Sequence, residues 1–153
     1  MIRVRFPFFA HRERTPEWVV GAITVCWGAS AFVDSFADVP RHMMDSAFFA
    51  PLTYWMPQRA WGAYAFIVGM VRVAFLVVNG SRPRGSTVLR SIGAGLSATF
   101  WFGLAAGAAS LPWSSGALWT YGGLCALDLV SLFRAAGEVF PAFARVKAAH
   151  GGR

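Results

Sequence analysis

Charge is what this sequence has least of. Only 14% of its 153 residues are Asp, Glu, Lys or Arg, against about 25% in a typical soluble domain. Two cysteines exclude a disulfide scaffold. The three histidines His11, His42 and His150 lie too far apart for ligand spacing, so no metal or other cofactor is expected. HExxH, GxSxG, P-loop, CxxC and Rossmann glycine patterns are all missing, and no two carboxylates share one helical turn inside an apolar stretch. Ser131 follows Asp128 by three residues, a spacing at which serine more often bonds its own helix backbone than acts as a nucleophile. The sequence therefore predicts a protein that is not an enzyme.

What is abundant is apolar. Hydrophobic residues make up 56% of the chain and aromatics 16%, which excludes a disordered chain. A hydrocarbon core of roughly 30 Å takes about 20 helical residues, and four stretches qualify: 18–36, 61–78, 88–109 and 117–136. Strands would leave unpaired backbone groups in lipid, and the alternation of a barrel strand is missing. The expected fold is an all-α integral membrane protein. It is one membrane domain with a bundle of four transmembrane helices, a basic segment 1–17 and a basic tail 137–153.

The net charge of +7 does not imply a nucleic-acid partner, because the basic residues are dispersed at the ends of apolar stretches and line no single face. Their distribution instead sets orientation. Eleven Lys and Arg fall on the side of the two termini and two, Arg41 and Arg59, on the other, with Arg72 inside a span. By the positive-inside rule both termini are cytoplasmic, in a bacterial inner membrane crossed four times. Trp55, Trp61, Trp113 and Trp119 then sit near the outer face, where amphipathic rings favour the headgroups. A competing expectation is a signal peptide cut after Ala37. Phe6-Pro7-Phe8-Phe9, set among arginines, suggests an interfacial anchor.

The first outer loop, 37–60, places Met43, Met44, Ala47, Phe48 and Leu52 at roughly helical spacing between Pro40 and Pro51. This predicts either an interfacial helix along the membrane surface or a loop folded over the helix ends. Two residues within spans stand out, because a charge at a helix centre costs roughly 2.5–3.5 kcal/mol on insertion scales. Arg72 and Asp128 lie roughly 9 and 12 Å from the cytoplasmic side at 1.5 Å per residue, a match in depth that predicts an ion pair. Asp34, near the outer end of its span, can reach water. Cys26 and Cys125 read as buried small hydrophobes.

The third span carries Ser91, Gly95, Thr99, Gly103 and Gly107 at four-residue intervals. Small residues in a row let helix backbones approach, which in lipid substitutes for hydrophobic drive. The partner of that row is expected to be another helix of the same chain, slightly ahead of a second copy. Gly21 and Gly28, and Gly62 and Gly69, offer further small faces seven residues apart. High Ala, Gly and Arg usage resembles that of small membrane proteins from GC-rich bacteria or their phages. The partners expected are the lipid bilayer and either the same chain or another membrane subunit. The function expected is assembly, most concretely a holin-like pore former or a small complex subunit; the alternative is an ion or proton channel or transporter using Arg72 and Asp128.

Overall fold

The computed structural model describes residues 14–38, 44–46, 49–81, 86–109 and 116–150. The arginines before Arg14, the Phe6–Phe9 run, Trp113 and most of the first outer loop's apolar positions (Met43, Ala47, Phe48) lie outside them. Among the described residues the chain is all-helical: α1 (Thr15–Asp34), α2 (Ala50–Trp55), α3 (Gln58–Ser81), α4 (Ser86–Ala108) and α5 (Gly116–His150). Four of these are long and apolar enough to cross a membrane, over Thr15–Asp34, Gln58–Val78, Thr87–Ala108 and Gly116–Gly137. These limits differ from the sequence-based spans by about one turn at most, as expected where helix ends rather than helix centres are hard to read.

Local chemistry sets the boundaries. Pro16 in the first turn of α1 lacks an N–H that would have had no helical partner there. At the other end the Ser35 hydroxyl donates to the Phe32 carbonyl at 2.6 Å, and the Ser35 N–H to Ala31 at 3.3 Å, satisfying carbonyls that the helix leaves open. Pro51 starts α2 in the same way.

Packing divides the bundle into two hairpins, α1 with α3 and α4 with α5, joined where α3 meets α4. Glycine closes the first. A Cβ on Gly28 would lie 2.2 Å from the Phe66 nitrogen, one on Gly62 2.4 Å from the Phe32 nitrogen, and one on Gly69 2.7 Å from the Val25 nitrogen. Gly28, Gly62 and Gly69 therefore interlock backbone against backbone in one antiparallel register, while Gly21 faces the Val73 and Arg72 side chains. In lipid, where burial of apolar surface gives no net drive, such close approach is what holds helices together.

The α4 row behaves differently from the intrachain expectation. Nothing lies within 4 Å of a Cβ placed on Gly95, and Gly103 would meet only the edge of Trp61 at 3.9 Å. Thr99 is exposed and Ser91 half-buried, their hydroxyls turned back to the Leu96 and Thr87 carbonyls of their own helix. Only Gly107 is used inside the chain, where Leu52 would touch its Cβ at 3.2 Å. The correction has a simple cause: α4 buries the neighbouring face, with Ala94, Ser97, Ala98, Trp101 and Leu104 turned inward, and spacing alone does not say which face is buried.

The α2 end of the bundle is plugged by the first loop. Met44, Phe49 and Leu52 are buried in the main apolar cluster with Phe100, Trp101 and Leu104. Their apolar spacing therefore serves a segment folded over the helix ends, while Tyr54 and Trp55 stay exposed. Gln58 ties this segment down. Its Oε1 accepts the Met44 N–H at 2.8 Å, and its Nε2 donates to the Ala31 carbonyl at 3.0 Å and to Asp34 Oδ2 at 2.7 Å. Trp61, expected at the headgroups, is instead half-buried against that cluster and donates its indole N–H to the Leu52 carbonyl at 2.9 Å. A partner for its N–H inside the protein removes the reason to seek the interface. Replacing Gln58 with Ala should cost about 1–3 kcal/mol for the buried groups left unpaired, read as faster amide exchange across residues 44–56 with the four spans still protected.

Candidate functional site

Among the described residues, each of the four long helices contributes one charged side chain to the bundle interior. Glu17 comes from the first turn of α1, Arg72 from α3, Arg90 from the second turn of α4 and Asp128 from α5, and all four are buried. They form two pairs at two depths. Arg72 Nη1 donates to Asp128 Oδ1 in a direct contact, at about 13 Å from the Ser81 end of α3 by helical rise. Arg90 Nε lies 3.7 Å from Glu17 Oε2, roughly one turn nearer the end where α1 and α4 begin.

The architecture makes room for the deep arginine. A Cβ on Gly21 would fall 3.6 Å from Arg72 Cδ, and one on Gly93 3.3 Å from Arg72 Cα. The arginine stem therefore runs through a slot between glycines of α1 and α4 to reach α5, touching all three other spans. Glu17 lies one turn from Gly21 on the same face of α1, so the stem passes beside the turn that carries it. Glu17, Arg72, Leu76, Arg90, Ala94 and Ser131 line one crevice between the two pairs, which leaves no space for a water molecule. Bringing charges into such a dry interior is costly unless they are matched, and here two guanidinium groups face two carboxylates.

Hydroxyl groups continue inward from Asp128. Ser97 is the other polar side chain beside it. The Ser97 and Thr24 hydroxyls are 3.4 Å apart, and Thr24 donates to the Val20 carbonyl at 2.8 Å while accepting the Trp101 indole N–H at 3.2 Å. There the polar groups stop at a layer of rings: Trp101 stacks on Tyr121 at 5.8 Å, and Phe100 meets Trp101 at 4.9 Å and Trp27 at 5.1 Å. Asp128 Oδ2 is buried and makes no hydrogen bond among the described residues. Ser131 donates to the Leu127 carbonyl at 2.9 Å, so its hydroxyl serves its own helix.

The structure thus brings together Arg72 and Asp128, the two charges singled out within spans. It adds three residues that sequence reasoning passed over. Glu17 falls just before the stretch 18–36 and Arg90 at the mouth of 88–109, ends where water is the ordinary explanation for a charge, although both sit at the start of a span on one side. Gly93 gave no signal, since its role is space for an arginine from another helix. Of the four tryptophans expected at the interface, Trp55 and Trp119 are exposed. Asp34, which the sequence allowed to stand in water alone, is bonded to Gln58. Cys125 is buried and donates to the Ala98 carbonyl at 3.6 Å, whereas Cys26, expected to be buried, is exposed on the outside of α1.

Compared with known proteins, the chain matches no family model, no curated protein and no solved structure.

Proposed function

We propose that this chain is a non-enzymatic multi-pass protein of a bacterial inner membrane, with both termini in the cytoplasm, that acts by assembling with itself or as a small subunit of a larger membrane complex. Its most concrete form is a holin-like pore former. The observation that carries the reading is the outward row on α4. Gly21, Gly28, Gly62 and Gly69 are all used within the bundle, while Gly95 meets nothing of its own chain and Gly103 only the edge of Trp61. Around it Ile92, Leu96 and Phe102 are exposed, so a second helix would meet small residues flanked by large ones. The charged crevice holds no water-sized space, which favours a pore made between copies over an aqueous one within a single chain.

Replacing Gly95 and Gly103 with Leu should leave the monomer folded, because nothing lies within 4 Å of a Cβ at Gly95 and only the edge of the Trp61 ring, at 3.9 Å, lies near one at Gly103. It should reduce cross-linked oligomers by about tenfold or more, corresponding to about 1.4 kcal/mol per tenfold step. Dye release from vesicles carrying the protein should fall in parallel. Unchanged oligomers in the double variant would remove this reading.

A second reading is an ion or proton path through the bundle. It is favoured by the run of polar groups from Glu17 and Arg90, through Arg72 and Asp128, to Ser97 and Thr24. Ionisable groups held inside a membrane mark such paths in many transporters and pumps.

A further inference from the structure

We propose that Asp128 is a reversible proton-binding site, and that Glu17 takes over Arg72 when Asp128 is neutral. The proposal rests on the ion-path reading for its purpose and names the ion. Three observations carry it. First, Asp128 uses one carboxylate oxygen for Arg72, and its other oxygen is buried with no hydrogen bond among the described residues. Oδ2 can therefore take a proton, the Ser97 hydroxyl beside the carboxyl turning from donor to acceptor as it does so.

Second, a neutral Asp128 would strand a guanidinium in hydrocarbon, unless another carboxylate lay in reach. Glu17 supplies it. It borders the same crevice as Arg72, about 6 Å nearer the membrane surface by helical rise, and the Arg72 stem already passes its neighbour Gly21. No helix stands between the two, and both side chains are long. Third, the arginine that now faces Glu17 has somewhere to go. Arg90 lies in the second turn of α4, about 6 Å inside the helix start, a depth from which an arginine reaches the headgroups by extending its side chain.

The step balances. One proton from the medium on the side where α1 and α4 begin adds to Asp128 Oδ2. The contact between Arg72 and Asp128 opens, Arg72 closes on Glu17, and Arg90 turns outward. The site gains one positive charge, carried by Arg90 toward the surface. The groups that face Asp128 are Arg72 from α3 and Ser97 from α4, with Cys125 one turn away on its own helix. The α1 side contributes Glu17 through the crevice and Thr24 through Ser97. The ring layer of Trp27, Phe100, Trp101 and Tyr121 lies beyond Ser97 and Thr24 on the opposite side.

The test uses the full chain in lipid vesicles, labelled with carboxyl-13C aspartate, of which the sequence has four residues. Infrared spectra are followed from about pH 4 to about pH 9, the range that brackets ordinary and raised carboxyl titration. The expected result is a protonated-carboxyl band that carries the label, rises as pH falls and is missing from Asp128→Asn. No such band while the helices remain intact overturns the proposal. Thermal melting of three variants reads the exchange of partners. Asp128→Asn mimics the neutral acid, so with Glu17 present it should melt near the parent, and Glu17→Gln should too. The double variant leaves two arginines without a carboxylate, and its folded monomer should be lost. Asp128→Asn alone as damaged as the double variant overturns the role given to Glu17. Proton flux is measured on the same vesicles. Titration of Asp128 without flux in the parent keeps the site and removes the path, and a parent flux that Asp128→Asn leaves unchanged does the same.

Discussion

Gly28→Ala, the loss of one hydrogen in favour of one methyl group, should leave little folded protein. The added carbon would lie 2.2 Å from the Phe66 nitrogen and 2.7 Å from its Cα, and backbone does not turn aside as the end of a side chain does. α1 and α3 must separate, and the register that also seats Gly62 and Gly69 is lost along the whole hairpin. Overpacking a core costs about 1–3 kcal/mol where side chains adjust; against backbone the cost should exceed that range. Melting in detergent, followed by the folded monomer peak, should show a collapse for Gly28→Ala and Gly62→Ala. A smaller shift is expected for Gly21→Ala, whose nearest neighbour is a Val73 methyl group at 3.3 Å. Gly95→Ala should melt with the parent. If all four variants melted alike, the account of the first hairpin would be wrong.

Asp128→Lys carries the second large effect. It replaces a matched carboxylate with a third buried cation beside Arg72 and Arg90, leaving Glu17 as the one acidic group of the network. A charge at a span centre costs roughly 2.5–3.5 kcal/mol on insertion scales, and breaking a buried pair about 3–5 kcal/mol. Together these approach the whole stability of an ordinary domain, about 5–15 kcal/mol. The variant should therefore fail to accumulate in the membrane fraction. Exchanging the charges, with Arg72→Asp and Asp128→Arg together, should recover part of the folded protein. Full accumulation of Asp128→Lys would show that these two residues do not meet.

The four spans were legible in the sequence because hydrocarbon thickness and helical rise leave little freedom: about 20 apolar residues, with few charges, fit one solution. The same arithmetic of depth singled out Arg72 and Asp128. It would also have found Glu17 and Arg90 had it been carried to the span ends, where solvent is the ordinary explanation for a charge. Which face of a helix is covered was harder to read. The row from Ser91 to Gly107 has the better-known spacing, yet only Gly107 meets its own chain. Gly28, Gly62 and Gly69, from the seven-residue pairs on α1 and α3, seat the backbone contacts. Small residues permit close approach on any side, and the large residues that decide the matter belong to other helices. The loop posed the same ambiguity, since an apolar face at Met44 and Leu52 fits lipid as well as it fits the open end of a bundle.

The slot between Gly21 and Gly93 bears on how the protein is made. Arg72 emerges from the ribosome 56 residues ahead of Asp128, so during synthesis the third helix of the chain must enter the bilayer before its permanent counter-charge exists. Glu17, synthesised earlier and bordering the same crevice, is the acid then at hand. A chain interrupted before α5 would hold Arg72 without Asp128, the acid it meets in the finished bundle.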